Sequence, residues 1–337
     1  MASIDFIHAG APYSGETLRS ASMGGTESSV VQLAEALAQR GHVVSVFNGV
    51  ASPVVEYGVN WRPLSDAADF NRGDVGIAVA SPKPFLALKF RRPIVWLHNP
   101  TKSWRQIKRG NVLALAKARP HLVVLGDHHR RHIPQWLPFR SRHVIEHGVH
   151  PDFFRHVPSG AAPPPQAIFT SQPYRGLDWL LELWGEVKKQ APEATFKIFA
   201  PKAHQAAQNA ARSGLTGVSF GGSVSRAELI GELGKSRVQL IPGHHDETYC
   251  LAAAEATAAG VPIVSRGFGA LTERVRPGKT GFIAAHREDF IARTVSLLSG
   301  AEVWKALHDG CIEERSLAGW DKRAEEWESL FQEIGAR

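Results

Sequence analysis

The first 150 positions alternate between short apolar runs and a longer segment with helical spacing. The segment Gly25–Arg40 predicts a helix whose apolar side holds Val30, Val31, Leu33, Ala34, Leu37 and Ala38. Short runs typical of buried strands lie at Ser3–His8, Val43–Phe47, Val75–Ala80, Pro93–His98, Leu122–Leu125 and His143–Glu146. Strands that alternate with helices predict βαβ units and a parallel sheet.

The alternation breaks at Val157–Gln166, whose sequence VPSGAAPPPQ is rich in proline and has no apolar periodicity. This composition predicts an interdomain linker. Strands are predicted again at Ala167–Thr170, Phe196–Ala200, Val218–Phe220, Val238–Ile241 and Pro262–Ser265, with a helix at Gly176–Gln190. We therefore predict an α/β protein with Rossmann-like domains at 1–156 and 167–315, a linker at 157–166 and a C-terminal helical segment at 316–337. Ligands of such domains bind at the carboxyl ends of the strands, so we expect a site in a cleft between the domains.

The composition is that of a soluble globular protein, and 337 residues are enough for two domains. Cys250 and Cys311 form neither a disulfide framework nor a metal-ligand spacing, so we expect a reducing, cytoplasmic setting. The N-terminal residues lack the order of a signal peptide, and no apolar run approaches the roughly 18 residues of a membrane span.

The charge is unevenly distributed along the chain. Between Lys83 and Arg142 lie fourteen basic residues, and Asp127 is the only acid. Such asymmetry indicates either an anionic partner or an ordinary solvated basic face. The stretch RRHIPQWLPFR interleaves bases with Trp136, Leu137 and Phe139, a mixture typical of contact with anionic lipid.

Two carboxylates, Glu247 and Glu255, lie in the alanine-rich stretch after the strand Val238–Ile241. We predict a helix that begins near Thr248–Cys250 and ends at Ala259, which puts the two carboxylates on the order of 10 Å apart. That separation is too long for one metal ion or for a shared proton, and it suits two contacts with one extended ligand. The N–H groups at the helix start would bind an anion between them. Two glutamates on a surface helix are the simpler alternative.

Four segments, in their order along the chain, resemble retaining glycosyltransferases of the GT-B fold, glycosyltransferase family 4 (glycosyl transferases group 1). They are MGGTE with LAEALAQRGHVVSVF, SQPYRGLDWLLELWGEVKKQAPEATFKIFA, ETYCLAAAEATAAGVPIVSRGFGALTERVRPGKTGFIA, and the helix around Trp320. The resemblance implies an N-terminal acceptor domain, a C-terminal nucleotide-sugar domain and a last helix that crosses back to the first domain.

The resemblance assigns roles to residues of the second domain. Glu255 is expected to accept hydrogen bonds from ribose hydroxyls, and Glu247 to contact a hydroxyl of the donor sugar. Arg175 is expected to neutralise the leaving diphosphate. The donor-binding set also includes Ser171, Thr248, Tyr249, Cys250 and Leu251. Two departures stand out: Thr248–Cys250 replaces the family's usual Gly-Phe-Gly, and Thr170 replaces a second arginine that the family often has.

The first domain also holds candidate residues. By the same resemblance, Gly24 and Gly25 approach the phosphates and His98 contacts the donor sugar; a histidine that only caps its strand is the alternative for His98. His128, His129 and His132 form a cluster without cysteine or carboxylate ligands beside it, which predicts a basic surface helix rather than a metal site.

The resemblance, together with these residues, implies a metal-independent, retaining transfer from a UDP- or GDP-type sugar, without a further cofactor. The acceptor would be a glycan, a lipid-linked glycan or a small molecule, as in polysaccharide or lipopolysaccharide biosynthesis, and the basic segment 83–142 would bind an anionic membrane surface as a peripheral contact. A nicotinamide-dependent oxidoreductase is the main alternative, but no G-x-G-x-x-G follows the first strand. A basic module for nucleic acid is another, and no such motif is visible.

Overall fold

The computed structural model describes residues 1–21, 23–70, 73–100, 110–155, 160–201, 203–212, 214–315 and 318–336. The chain forms two compact units. Met1–Gly148 and Trp320–Arg337 make up the first unit, and Val149–Gly319 makes up the second. The first stretch thus ends eight residues before the predicted boundary at 156, and the C-terminal helix groups with the first unit.

The first unit is an α/β unit with an eight-stranded sheet in the order β3-β4-β2-β1-β5-β6-β7-β8. The strands are β1 Ser3–Ile7, β2 Val43–Asn48, β3 Val54–Glu56, β4 Val59–Pro63, β5 Val75–Val79, β6 Arg92–Trp96, β7 His121–Val124 and β8 Arg142–Val144. The helices are α1 Gly15–Ser20, α2 Gly25–Gln39, α3 Ala67–Phe70, α4 Asn111–Ala118, α5 Asp127–Arg131 and the C-terminal helix Trp320–Glu333. All neighbouring strands are parallel except β3 and β4.

The hairpin β3–β4 is an element that the apolar pattern does not predict. Val54 and Val55 are exposed, so β3 lacks the buried face that marks strands such as β1 and β5. Its turn residues, Tyr57 and Gly58, have φ angles of 50° and 80°, as a tight two-residue hairpin turn requires. The predicted strands of this unit are otherwise present, with ends shifted by one or two residues.

The second unit holds a six-stranded, fully parallel sheet in the order β11-β10-β9-β12-β13-β14. Its strands are β9 Gln166–Phe169, β10 Thr195–Ile198, β11 Val218–Phe220, β12 Val238–Ile241, β13 Ile263–Ser265 and β14 Gly281–Ile283. Its helices are α6 Asp152–Arg155, α7 Leu177–Gln190, α8 His204–Arg212, α9 Arg226–Gly234, α10 Leu251–Ala258, α11 Leu271–Arg274, α12 Arg287–Ser299 and α13 Ala301–Glu314, and the C-terminal helix of the first unit is α14.

The core of the second unit forms where the apolar side of α7 meets the sheet. Leu177, Leu180 and Trp184 are buried there with Phe169 and Phe196 of the neighbouring strands. This is the apolar stripe that the sequence predicts for Gly176–Gln190. Because all strands of this sheet run parallel, their carboxyl ends lie along one edge, and the loops that follow them meet there.

Two further predictions concern the interdomain linker and membrane-spanning segments. Residues 157–159 of the predicted linker lie outside the described residues, and its last residue, Gln166, already begins β9. Among the helices that the structure describes, none is long and apolar enough to cross a membrane.

Candidate functional site

Three loops follow neighbouring strands of the second sheet and lie at its carboxyl edge. They follow β9, β12 and β13, and they span residues 170–176, 242–250 and 266–270. Backbone hydrogen bonds join them, because the N–H of Gly243 donates to the Arg175 carbonyl at 3.2 Å and the N–H of Ala270 donates to the Glu247 carbonyl at 3.0 Å. The structure therefore brings the predicted donor-binding residues of the second unit onto one edge.

Arg175 ends a short 3-10 turn, Pro173–Arg175, directly before α7. The next residue, Gly176, has a φ of 105°, and a Cβ there would lie 2.6 Å from the Cβ of Pro242. Only glycine allows this backbone conformation and this close approach of the two loops. Arg175 is consequently fixed against the loop that carries Glu247. The other predicted residue of this loop, Ser171, is partly buried in the bend after β9.

Glu247 is buried and forms an ion pair with Arg175. Its side chain is 7% exposed, whereas that of Arg175 is 20% exposed. A Cβ on Gly269 would lie 2.7 Å from the Glu247 carbonyl oxygen, so the third loop packs directly against this residue. A buried carboxylate needs such a partner, because an unpaired charge away from water is strongly unfavourable.

The helix α10 begins later than the sequence predicts, at Leu251 rather than near Thr248–Cys250. The cause is Cys250, which has a φ of 69° in the left-handed region and cannot belong to the helix. The predicted separation of about 10 Å for the two carboxylates assumed a mostly helical gap, and only residues 251–254 of that gap are helical. Burial raises the pKa of the Cys250 thiol to about 11, so the thiol stays protonated near neutral pH.

Glu255 lies in the second turn of α10, on the helix that Glu247 precedes. Burial raises the pKa of its carboxyl to about 7, and the positive charge of Arg226 opposes that shift. Arg226 is held in turn by a hydrogen bond of 3.0 Å to Nε2 of His150. Glu255 therefore changes its charge within the physiological pH range.

Arg274 is a residue of this edge that sequence reasoning missed. It is the last residue of α11, and its Cζ lies over the ring of Tyr249 at 4.8 Å from the centroid. Tyr249 is buried and Thr248 is partly exposed. The sequence signal for Arg274 was weak. Arg274 follows a glycine-rich segment after an apolar strand, in a region that the resemblance covers but where it assigns no role to a charged residue.

In the first unit, His98 lies two residues past the end of β6 and is buried. Its ring centroid is 4.3 Å from that of Trp96 and 4.9 Å from that of His147. Burial lowers the pKa of His98 well below its ordinary value, and the neighbouring His147, His8 and His129 add to the effect. His98 is accordingly neutral at pH 7 and can serve as a hydrogen-bonding group there.

The sequence predicts that His128, His129 and His132 lie on a basic surface helix. The prediction is wrong for His129, which is buried. Its Nδ1 accepts from the N–H of Leu125 at 3.4 Å, which leaves Nε2 to donate to the carbonyl of Asn99 at 3.2 Å. Burial lowers the pKa of His129 to about 4. Among the described residues, no group of three or more His, Cys, Asp or Glu could hold a metal ion.

Gly24 and Gly25 form the exposed beginning of α2. Gly24 is the N-cap residue, and Glu27 follows in the first turn. A Cβ at Gly24 would meet the carboxylate of Glu27, so this helix start is open to a ligand only on the side away from that side chain.

The basic segment 83–142 divides into surface and structural residues. Exposed bases include Lys83, Lys89, Arg91, Lys117, Arg119, Arg130, Arg131 and Arg140, whereas Lys102, Arg105, Lys108 and Arg109 lie outside the described residues. Arg92 is buried in an ion pair with Asp74, and Arg142 donates to the carbonyl of Pro134 at 2.8 Å. Of the predicted apolar contacts, Leu137 is part of the core and Trp136 is 53% exposed.

One family model matches a range that lies within the second unit. Residues 165–300 match the family model described as Glycosyl transferases group 1. This range contains the three loops, Arg175 and both carboxylates of the candidate site.

Two curated relatives carry the description D-inositol 3-phosphate glycosyltransferase. The protein of a Nocardioides species is 26% identical over 185 residues, which is 49% of this chain and 40% of the relative. That of Streptomyces bingchenggensis is 26% identical over 215 residues, 56% of this chain and 47% of the relative. The match thus spans less than half of the length of either relative.

Solved structures resemble the chain over nearly its whole length. Sucrose-phosphate synthase from Thermosynechococcus elongatus is 14% identical with a TM-score of 0.75, and the match covers 99% of both chains. Anabaena HepE, solved with UDP and glucose, is 15% identical with a TM-score of 0.72 over 98% of this chain and 100% of that one. This likeness confirms the predicted two-domain α/β fold of the GT-B class.

Proposed function

We propose that this chain is a glycosyltransferase that moves a sugar from a UDP- or GDP-type donor to an acceptor hydroxyl with retention of anomeric configuration, as in glycosyltransferase family 4. The observation that carries the proposal is the Arg175–Glu247 pair at the start of α10, with Glu255 in the second turn of the same helix. The family match of residues 165–300 supports it, because it covers the same site.

The donor would bind along the start of α10. Glu255 would accept hydrogen bonds from the ribose, and the N–H groups around Tyr249, Cys250 and Leu251 would face the diphosphate. Glu247 would contact a hydroxyl of the sugar, and its carboxylate is the one that pairs with Arg175. The contacts expected of Ser171, Thr248, Gly24, Gly25 and His98 remain predictions of the same kind.

In the reaction, the bond between the anomeric carbon and the leaving phosphate oxygen breaks, and the acceptor oxygen forms its bond on the same face. The acceptor proton passes to the leaving phosphate oxygen. Arg175 and the helix N-terminus would stabilise the negative charge that develops on the diphosphate, because both are fixed before the reaction. We propose that these groups act without a divalent metal ion.

A panel of nucleotide sugars tests this proposal. Thermal shift and donor hydrolysis are measured with UDP- and GDP-sugars, with NAD as the contrast for the oxidoreductase alternative. We expect stabilisation and hydrolysis with one nucleotide class and none with NAD. The same assay with EDTA tests the metal independence. A protein that NAD stabilises and nucleotide sugars do not would contradict the assignment.

For the acceptor, we propose an anionic molecule, either lipid-linked or soluble, that binds the first unit. The exposed bases of segment 83–142 support this proposal, as does the phosphate in the name of the curated relatives, D-inositol 3-phosphate glycosyltransferase. Exposed Leu113 and Trp136 lie among these bases and would enter the interface of an anionic membrane at the cytoplasmic face.

Vesicle binding tests the membrane part separately. The protein is sedimented with neutral vesicles and with vesicles that contain 30% anionic lipid as a test composition. We expect binding only to the anionic vesicles, weaker binding at high salt and a blue shift of Trp136 emission. Trp136→Ser, which changes the first unit and leaves the donor edge of the second unit unaltered, serves as the matched variant. Equal binding to both vesicle types would contradict membrane contact through charge.

A further inference from the structure

A second arginine, Arg274, lies beside the start of α10, and the strands that precede Arg274 and Arg175 flank β12 on its two sides. Arg175 belongs to the loop after β9, and Arg274 ends the short helix α11 that follows β13. The strand between them in the sheet is β12, whose loop leads into α10. The two guanidinium groups therefore come from the loops on either side of the one that carries Glu247.

Both arginines lie close to the N-cap residue of α10. The Cζ of Arg274 is 4.8 Å from the ring centre of Tyr249, the residue directly before Cys250. The positive charges of Arg175 and Arg274 both lower the pKa of the Cys250 thiol, against the larger opposing effect of burial. Stacking on a ring uses the face of a guanidinium, whereas its N–H bonds lie in the plane and point outward from the stack.

Two residues of the loop after β9 have defined contacts. Arg175 is ion-paired with Glu247. Thr170 adds no charge, and its hydroxyl accepts a hydrogen bond of 2.7 Å from Nε2 of Gln239. Arg175 and Arg274 both place positive charge near Cys250, the N-cap residue of α10, and the N-terminal end of the helix adds to that potential.

We propose that Arg274 binds the diphosphate of the donor from the side opposite to Arg175. The inference rests on the proposed function and extends it, because it assigns a diphosphate contact to a residue that the sequence does not single out. A diphosphate presents oxygens on two phosphoryl groups, which suits two guanidinium groups on opposite sides. Arg274 would also stabilise the charge of the leaving group when the bond to the sugar breaks.

Binding measurements with Arg274→Gln and Arg274→Lys test this inference. Isothermal titration calorimetry compares UDP with uridine and GDP with guanosine, so that the contribution of the diphosphate is isolated. Arg276→Gln is the matched control, because Arg276 lies two residues further along and pairs with Glu314 at 2.8 Å. Circular dichroism and the unfolding midpoint verify that each variant is folded.

For Arg274→Gln we expect a loss of about 10- to 100-fold in affinity for the nucleoside diphosphate that the wild type binds, with the nucleoside unaffected. Arg274→Lys, which keeps the charge and the ring contact, should recover part of that loss. Arg276→Gln should bind as the wild type does. An equal loss for nucleoside and nucleoside diphosphate would indicate a purely structural contact with Tyr249 and would overturn the inference, as would unchanged diphosphate affinity.

The same titrations separate this inference from the proposed function. If the wild type binds neither UDP nor GDP, nor any of their sugars, the proposed function fails and the inference fails with it. If the wild type binds a nucleoside diphosphate and Arg274→Gln binds it equally well, only the inference fails.

Discussion

The carboxylate of Glu247 is paired with the guanidinium of Arg175. These two groups, which are expected to contact different parts of one ligand, thus also contact each other. The pair holds Arg175 in place before a donor arrives, and it gives the buried carboxylate of Glu247 a counter-charge. Removal of either partner leaves the other as an unpaired charge at this edge.

The first prediction concerns this pair. Glu247→Gln should lower sugar transfer by at least about 100-fold and the free energy of unfolding by about 1–3 kcal/mol, because Arg175 loses its counter-charge. Affinity for the nucleoside diphosphate should be retained, since the arginine then attracts the phosphates alone. Initial rates, titration calorimetry and urea unfolding measure the three quantities. Full transfer activity in the folded variant would refute the role given to Glu247.

The second prediction concerns the left-handed conformation of Cys250. Cys250→Gly should be more stable than Cys250→Ala by about 0.5–1 kcal/mol, because a Cβ is unfavourable at a φ of 69°. Cys311 is the control, since it lies inside α13, where Cys311→Gly should be less stable than Cys311→Ala by about 1 kcal/mol. Urea unfolding of the four variants measures both differences. If the glycine variant were less stable than the alanine variant at both positions, Cys250 would carry no such backbone strain.

The third prediction follows from the pKa of about 7 for Glu255. A protonated carboxyl accepts hydrogen bonds from a ribose less well, so nucleotide affinity should fall about tenfold between pH 8 and pH 6. Glu255→Gln should remove most of this dependence. Stability should change in the opposite direction: the folded pKa of Glu255 exceeds its ordinary value of 4.5, so the contribution of this group to stability is greatest below pH 4.5 and is lost as pH rises through 7. Titrations and thermal unfolding at each pH test the two trends, and a flat affinity profile in the wild type would contradict the assigned ribose contact.

The fourth prediction concerns Asp5, a buried residue of β1 away from the candidate site. Burial raises the pKa of its carboxyl to about 6, although a hydrogen bond of 2.9 Å from the N–H of Gly73 opposes the shift. The folded pKa exceeds the ordinary value of 3.8, so the ionised form costs stability as pH rises through 6. Asp5→Asn keeps the acceptor and should gain about 1–3 kcal/mol in the free energy of unfolding at pH 8. Denaturant unfolding should show little gain at pH 4, and an equal gain at both pH values would point to another cause.

The sequence predicts the fold well where one periodicity dominates. The helix α2 and the buried parallel strands stand out because their apolar residues repeat at a single spacing. The hairpin β3–β4 was missed because it has no buried alternation on β3. The late start of α10 was missed because left-handed backbone at a cysteine has no sequence signal.

The sequence predicts which residues belong to the candidate site better than it predicts the contacts between them. The resemblance selected Arg175, Glu247 and Glu255, and the structure brings the first two into an ion pair. Spacing along the chain could not reveal that pair, because it joins residues 72 positions apart through the packing of neighbouring loops. Arg274 was missed for the same reason, since its contact with Tyr249 depends on how β12 and β13 lie side by side.

Gly176 packs closely on Pro242, and Gly269 packs closely on Glu247. This packing limits which sequence changes the three loops can accept. An insertion in any of the three loops would separate backbones that now touch, so we expect loop length to tolerate little change here. Exchanges of side chains at Thr248, His244 and His245, which all retain solvent contact, leave that packing intact. A library that aims at new donor sugars should therefore vary the identities of these residues and keep the length of the loops constant.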